Sequence, residues 1–404
     1  MAIGPENTTV VIAGGGPAGM MAGYLLARAG VDVLVLEKHR DFLRDFRGDT
    51  IHPSTLQLMH ELGLYDRFLA LPHSELRELW AQIGQDHFPL ADFSHLPTHA
   101  KFLALMPQWD FLDFIADEAK KLPNFQLWME AEATGFSRDN GGRISGVTVA
   151  GEVNRRTWVS ADLVIAADGR HSVLRQAAGL TVTDFAAPMD VLWFRVSRRP
   201  DDPPETFGNA QTHALMVMLD RTTYWQCAYI IPKGGDAAMR QGPIEGFRDR
   251  IRTMQPFLAD RVTEIKSWDD VKLLTVTIDR LERWHQPGFL AIGDAAHAMS
   301  PIGGVGINLA IQDAVATANM LAKPLLAKTF TEDDLAAVQR RREFPAKVTQ
   351  GVQIVIQKQV IDVLLHSDKP LRAPWILKAL SGIPLLRRVP AYLVGVGVRP
   401  EHIR

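Results

Sequence analysis

Apolar and polar residues follow three different patterns along this chain. Near the start, the short apolar run Thr9-Val10-Val11-Ile12-Ala13 empties into Gly14-Gly15-Gly16-Pro17-Ala18-Gly19, and a stretch of small residues follows. A short apolar run bounded by glycine predicts a buried strand, and the small-residue stretch predicts a helix that Gly30 ends as a left-handed cap. A second strand, Val31 to Leu36, then closes on Glu37. Helical periodicity returns from Ser54 to Leu64, entered through Pro53, and from Phe111 to Leu122. Between them, Glu78 to His99 alternates loosely around Pro89 and Pro97, which suits strands and turns. From Asp184 to Thr277 the runs become aromatic and alternating, as in Leu192-Trp193-Phe194-Arg195-Val196 and Tyr224-Trp225-Gln226-Cys227-Ala228-Tyr229-Ile230-Ile231. They predict a sheet that forms a second lobe inserted into the first. Glu332 to Arg404 reads mainly as amphipathic helix. Its apolar positions Val355, Ile356, Val360, Val363 and Leu364 are expected in core or subunit contacts rather than in a membrane.

The first glycines carry chemistry. A tight turn, close backbone approach to a pyrophosphate and close helix–strand packing each need a glycine, and the helix N-terminus receives the negative charge. Glu37 stands 23 positions after Gly14, near the roughly 20 expected for an acid on ribose hydroxyls. Such an acid disfavours a 2′-phosphate on the nucleotide bound there. The plain alternative is a glycine-rich turn beside an ordinary surface glutamate. Strand, turn, helix, strand and acid in unbroken order weigh against it.

Two further strands end in carboxylates. The run Ala161 to Ala167 stops at Asp168-Gly169-Arg170-His171-Ser172. Phe289-Leu290-Ala291-Ile292 leads to Gly293-Asp294-Ala295-Ala296-His297, then to Pro301, Gly303, Gly304, Gly306 and Asn308.

Composition narrows the classes. The 404 residues are 47% hydrophobic and 22% charged with a net charge of −2, which predicts two domains and no nucleic-acid partner. Arg340-Arg341-Arg342 is expected to be a solvated helix face. One cysteine, Cys227, excludes an intramolecular disulfide and fits a cytoplasmic protein. No signal peptide or integral membrane span is expected. Metal chemistry is not expected either, since Pro97 between His95 and His99 spoils a shared helical face. Hydrolysis is disfavoured because no G-x-S-x-G elbow occurs.

The three carboxylate and glycine motifs, in this order across nearly the whole chain, resemble those of the group A flavoprotein monooxygenases, the family of para-hydroxybenzoate hydroxylase. That resemblance implies an α/β fold with a Rossmann-like FAD-binding domain, an inserted β-sheet substrate domain and a C-terminal helical region. The FAD domain is expected over 1–77, 100–183 and 278–331, the substrate domain over 78–99 and 184–277, and the helical region over 332–404. Carried across, the motifs imply Gly14, Gly16, Pro17, Ala18, Gly19, Glu37 and Lys38 around the ADP half of FAD. Asp168 belongs to the middle motif, and Asp294 to the ribityl hydroxyls, with Arg47 and Gln108 near the pyrophosphate and ribityl chain. Gly304, Gly306, Ile307 and Asn308 complete the set, and Pro301, Gly303 and Gly304 form a flavin-facing loop. Val305 departs from the glutamine that the family often carries between its glycines, which puts side-chain contacts there in question.

The implied activity is hydroxylation of an aromatic or other electron-rich small molecule through a C4a-hydroperoxyflavin, with NADH or NADPH as transient electron donor and O2 as co-substrate. A homodimer is compatible with this chain. For a base or proton relay the candidates are His52, Arg195, Tyr224 and Gln226, each with a structural role as the competing explanation. His297 is expected either near the nicotinamide or in a helix-turn contact. The rivals are a flavin-dependent halogenase, a geranylgeranyl reductase-like oxidoreductase and a non-catalytic FAD-binding redox sensor. The halogenase sequence Trp-x-Trp-x-Ile-Pro is only partly matched by Trp225 to Pro232.

Overall fold

The computed structural model describes residues 7–43, 50–151, 156–203, 207–366, 373, 377 and 381–404. Val10, Val11 and Ile12 have no exposed surface, so β1 (Asn7–Ala13) lies in the middle of a sheet. Its parallel neighbours are β2 (Val33–Leu36) and β4 (Arg156–Ala166); β3 (Phe125–Trp128) extends the sheet beyond β2, and β5 (Phe289–Ala291) beyond β4. Continuous apolar strands suit this arrangement, because parallel sheets are covered on both faces. The strands Ile144–Ala150 and Glu132–Arg138 add an antiparallel flap to β4.

Helix α1 (Pro17–Arg28) follows the first turn and ends at Ala29, with Gly30 at φ +98°. Strand β2 starts two residues later than the sequence suggests, because the Val31 amide still bonds back to the Leu26 carbonyl. Helix α2 (Pro53–Glu61) stops short of Leu64 at Gly63, which has φ +71°. Helix α3 (Gln108–Ala119) begins three residues early, since Pro107 caps it and Asp110 suits its first turn.

A seven-stranded sheet forms the second layer. Its order is Lys272–Leu274, Met189–Ser197, Tyr224–Pro232, Ala214–Asp220, Phe207–Gln211, Glu78–Ile83 and Asp86–Asp92. Side chains alternate between its faces. Phe194, Met216, Cys227, Tyr229 and Ile231 pack beneath the helix Ile244–Met254. On the other face, Val191, Leu215, Val217, Ala228 and Ile230 meet Ile302, Ile354, Ile361 and Leu365.

Helix α4 (Gly306–Leu326) packs on α1, and α5 (Glu332–Ile356) packs on α4. A π-helical turn over Gln357–Ile361 prolongs α5, and α6 (Arg388–Gly395) lies near the end of the chain. Of the apolar positions expected in core or subunit contacts, Leu364 is buried with Val360 packed beside it, while Val355 and Val363 are 59% and 55% exposed and lie outside the core of the single chain. One expectation fails. Of the three arginines, Arg342 is 1% exposed; successive helical residues turn by about 100°, so one of the three points inward. Among the described residues no helix is long and apolar enough to cross a membrane, and no three His, Cys, Asp or Glu side chains group as a metal site.

Candidate active site

Four loops leave the parallel sheet at one edge. Ala13 is in register with Leu36 and Ala166, and Ala166 with Ala291, so Gly14, Glu37, Asp168 and Asp294 all emerge at the carboxyl ends of adjacent strands. Ligands of open α/β sheets bind at that edge.

The first turn is packed tightly except at one place. Gly14 has φ +105°, and a Cβ there would lie 2.3 Å from the Ala167 carbonyl oxygen. A Cβ on Gly19 would lie 1.9 Å from the Gly14 oxygen. Around Gly16 nothing among the described residues would stand within 4 Å, whereas its neighbours serve internal packing. Helix α1 starts there with Pro17 and with neither a side-chain cap nor an acid in its first turn. Its orphan N–H groups are left for an anion. Ala18 is buried against Gly293. Glu37 is buried: its Oε2 accepts from the Gly15 amide at 3.0 Å and its Oε1 from the His39 amide at 2.9 Å. Lys38 beside it is exposed.

Asp168 Oδ2 accepts from the Leu174 amide at 3.3 Å, while its buried Oδ1 has no partner among the described residues. Burial pushes this carboxyl above the usual range, against hydrogen bonds from Ser172 and nearby backbone. Asp294 is half-buried in a short turn opened by Gly293 at φ +59°. Gln108 is half-buried at the first position of α3. Arg47 lies outside the described residues.

The loop Pro301–Gly304 needs two positive φ angles, +77° at Gly303 and +63° at Gly304. Thr50 Oγ1 donates to the Gly304 carbonyl at 3.3 Å, and a Cβ on Gly304 would fall 2.4 Å from that hydroxyl. Val305 is buried behind the loop. Gly306 and Ile307, both half-buried, open α4, again without a side-chain cap or an acid in the first turn. Asn308 Oδ1 accepts from Thr55 Oγ1 at 2.6 Å and from the His52 amide at 3.3 Å; its buried Nδ2 has no partner among the described residues.

Only one of the four base candidates reaches this loop. His52 is fully buried, with Nδ1 at 2.7 Å from the Val394 carbonyl, to which it donates. Burial pushes its imidazole down to about 4, although the Val394 and Gly304 backbone favours the charged form. A neutral, enclosed ring of this kind suits a scaffold better than a base working near neutral pH. Arg195 is exposed opposite Gln226, whose Oε1 accepts from Arg221 at 2.9 Å, and Tyr224 is half-buried next to them. Along the strand, Gln226 and the opposite Arg195 sit roughly 13 Å and Tyr224 roughly 20 Å from Ile230, a member of the apolar cluster that packs against Ile302. Trp225 turns to the opposite face, where its indole donates to Asp202 at 2.8 Å, so the partial halogenase-like segment does not present this tryptophan to the loop.

The sequence missed a buried network behind the Gly-Asp turn. Asp313 accepts from the Gly293 amide at 3.0 Å and from His297 Nε2 at 2.6 Å on one oxygen, and from Arg342 at 3.0 Å on the other. Arg342 also meets Glu401 at 3.3 Å. Burial would raise Asp313, but His297 and Arg342 together hold it below the ordinary carboxylate range. His297 is therefore a structural partner of Asp313 rather than an approach to a nicotinamide. The available signal was a lone aspartate in the apolar segment Leu309 to Ala318.

A family profile described as an FAD binding domain matches residues 7–352. The chain is also 30% identical over 387 residues to 6-methylpretetramide 4-monooxygenase of Streptomyces rimosus, an alignment spanning 95% of this chain and 92% of that protein. The chain belongs to the group A FAD-dependent monooxygenases. A second relative of this monooxygenase is dialkyldecalin synthase of Streptomyces rugosporus, 26% identical over 96% of this chain and 79% of that one. In fold the monooxygenase resembles PqsL of Pseudomonas aeruginosa, with a TM-score of 0.75 and 22% identity, covering 89% of this chain and 97% of the other. Its residues fit FAD: the room that the described residues leave at Gly16, two helix starts without caps, an unpartnered Asp168 oxygen and an unpartnered Asn308 amide all offer polar contacts that the described protein does not itself fill.

Proposed function

We propose that this monooxygenase holds FAD along the carboxyl edge of the parallel sheet, accepts electrons from NADH or NADPH, and hydroxylates an aromatic small molecule beside the loop Pro301–Gly304. The carrying observation is that three sequence-distant motifs, on four adjacent strand ends, converge on one edge and leave polar atoms there that the described residues do not fill. FAD supplies the redox and oxygen chemistry when bound, and the protein supplies orientation, dryness and charge.

Glu37, held by the Gly15 amide, accepts from ribose hydroxyls. The first turn of α1, opened by Gly16 and Pro17, receives the pyrophosphate, and Gln108, at the start of α3, contributes beside it, with Arg47 assigned to the same group by the family resemblance alone. Asp294 binds the ribityl hydroxyls, and Asp168 serves the middle motif, which touches both FAD and the pyridine nucleotide. The amides of Gly304, Gly306 and Ile307 and the Asn308 side chain address the far end of the cofactor, where donors and the α4 N-terminus stabilise negative charge. Val191, Leu215, Val217, Ala228 and Ile230 form an apolar sheet face that packs toward Ile302, and an aromatic substrate would be matched by apolar surface of this kind beside the loop. This assigns residues 1–77, 100–183 and 278–331 to FAD, 78–99 and 184–277 to the substrate, and 332–404 to a helical support. The relative named for monooxygenation of 6-methylpretetramide favours a polycyclic aromatic substrate.

The test is to identify the flavin released by denaturing the purified protein, then to mix the holoprotein anaerobically with NADH or NADPH. Equimolar FAD and bleaching of its visible absorbance by one donor are expected. Bound FAD that neither donor bleaches, with or without aromatic candidates, would leave the redox-sensor alternative standing.

A further inference from the structure

The end of α5 and the π-helical turn that prolongs it carry Gln350, Gln353 and Gln357, spaced three and four apart and therefore on one helical face. All three are buried. Gln350 Nε2 donates to the carbonyls of Asp279 at 2.8 Å and Ala298 at 3.0 Å. Gln353 Nε2 donates to the carbonyls of Ser300 at 3.0 Å and Ile302 at 2.9 Å, and its Oε1 accepts from the Ser300 amide at 3.2 Å. Gln357 Nε2 donates to Ser300 Oγ at 2.9 Å. Alternate carbonyls of the segment Ala298 to Ile302 are thus turned onto α5.

A trans peptide fixes C=O and N–H on opposite sides of its plane, and the described backbone contains no cis bond. With the Ile302 carbonyl held against Gln353, the Gly303 N–H points away from α5. We propose that Gln353 is a positioning residue that aims the Gly303 N–H at the flavin ring and so sets how strongly the protein stabilises reduced flavin. This rests on the assignment of Pro301–Gly304 as the flavin-facing loop. A preorganised donor at a site of negative charge favours the reduced cofactor over the oxidised one. Only an amide meets both demands at position 353, because methionine neither donates nor accepts comparably and a carboxylate would face two carbonyl oxygens.

The experiment measures the two-electron potential of the bound flavin in holoprotein carrying Gln353→Met, Gln339→Met or Gly304→Ala. Gln339 is a control on the same helix: it bonds the Trp284 amide and the Glu282 carbonyl, each at 2.9 Å, away from the loop. Gln353→Met is expected to retain FAD and weaken binding of the reduced relative to the oxidised form about tenfold, equivalent to a shift of about 30 mV to more negative potential. Gln339→Met is expected to leave the potential in place. Equal shifts in both glutamine variants would mean general loosening of α5 and would overturn the proposal. A shift in Gly304→Ala without one in Gln353→Met would also overturn it, while leaving the loop assignment intact. No shift in any variant would remove the loop assignment and the proposal together. If Gln353→Met does not fold, Gln357→Met, which loses a single bond, is expected to move the potential in the same direction by less, and an unchanged potential there rejects the proposal.

Discussion

The two uncapped helix starts at this site are secured in opposite ways. At α1 the turn is fixed by backbone on backbone: the Gly14 amide bonds to the Leu36 carbonyl at 2.8 Å, and Gly19 lies against Gly14. At α4 the approach is fixed by side chains from distant parts of the chain, namely Asp313, Arg342, Gln350, Gln353 and Gln357. The first arrangement is close backbone packing built of glycine, with one side-chain bond from Glu37. The second is long-range and built of buried polar groups, so its stability depends on every partner being present.

Breaking the second arrangement is expected to have the largest effect. Asp313→Asn leaves Arg342 short of a buried counter-charge, which costs about 3–5 kcal/mol. Chemical denaturation should show that loss; a change below 1 kcal/mol would mean that Glu401 suffices alone. Gly19→Ala attacks the first arrangement by placing a methyl group where no room exists, at a cost of about 3 kcal/mol. Flavin content after gel filtration should fall with it, whereas normal content would show that α1 can shift on its strand.

The His52 imidazole separates the two regions by pH. Its folded value of about 4 lies below the ordinary 6.5, so the unfolded chain binds a proton that the folded one refuses. Stability is full above pH 6.5 and declines as pH falls toward 4, by about 3 kcal/mol in total. Urea unfolding at pH 7.5 and 4.5 should show about 2.5 kcal/mol of extra acid sensitivity in the parent relative to His52→Leu. Identical pH dependence would place the ring in water. The smallest effect is expected at Glu37→Ala, which removes a ligand contact and the bond to Gly15 while leaving the turn. FAD should bind about tenfold more weakly by fluorescence titration, and unchanged affinity would take Glu37 off the ribose.

This contrast explains what the sequence discloses. Gly14, Gly19, Glu37, Asp168 and Asp294 are legible because a tight turn and a strand end restrict residue type locally. Helix α5 defeats the same approach. Its buried stripe runs Leu335, Val338, Arg342, Pro345, Ala346, Gln350, Gln353, apolar at first and then polar, because the later turns face a loop backbone that needs hydrogen-bond partners. Hydrophobic periodicity therefore selects Val355 and Val363, which face outward, and passes over the glutamines. Arg342 misleads for a similar reason, since three consecutive arginines look solvated until the residue that faces Asp313 is known.

The pairing of Trp80 with Phe207 in the second sheet also imposes an order in time. The hairpin Glu78–Asp92 leaves the ribosome long before the strand that covers its inner edge. At ordinary elongation rates that edge stays open for about 10 s, presenting unpaired N–H and C=O groups that other chains can join. Newly made protein is thus more exposed to misassembly than the finished fold suggests, and slower passage through the intervening codons would lengthen the hazard.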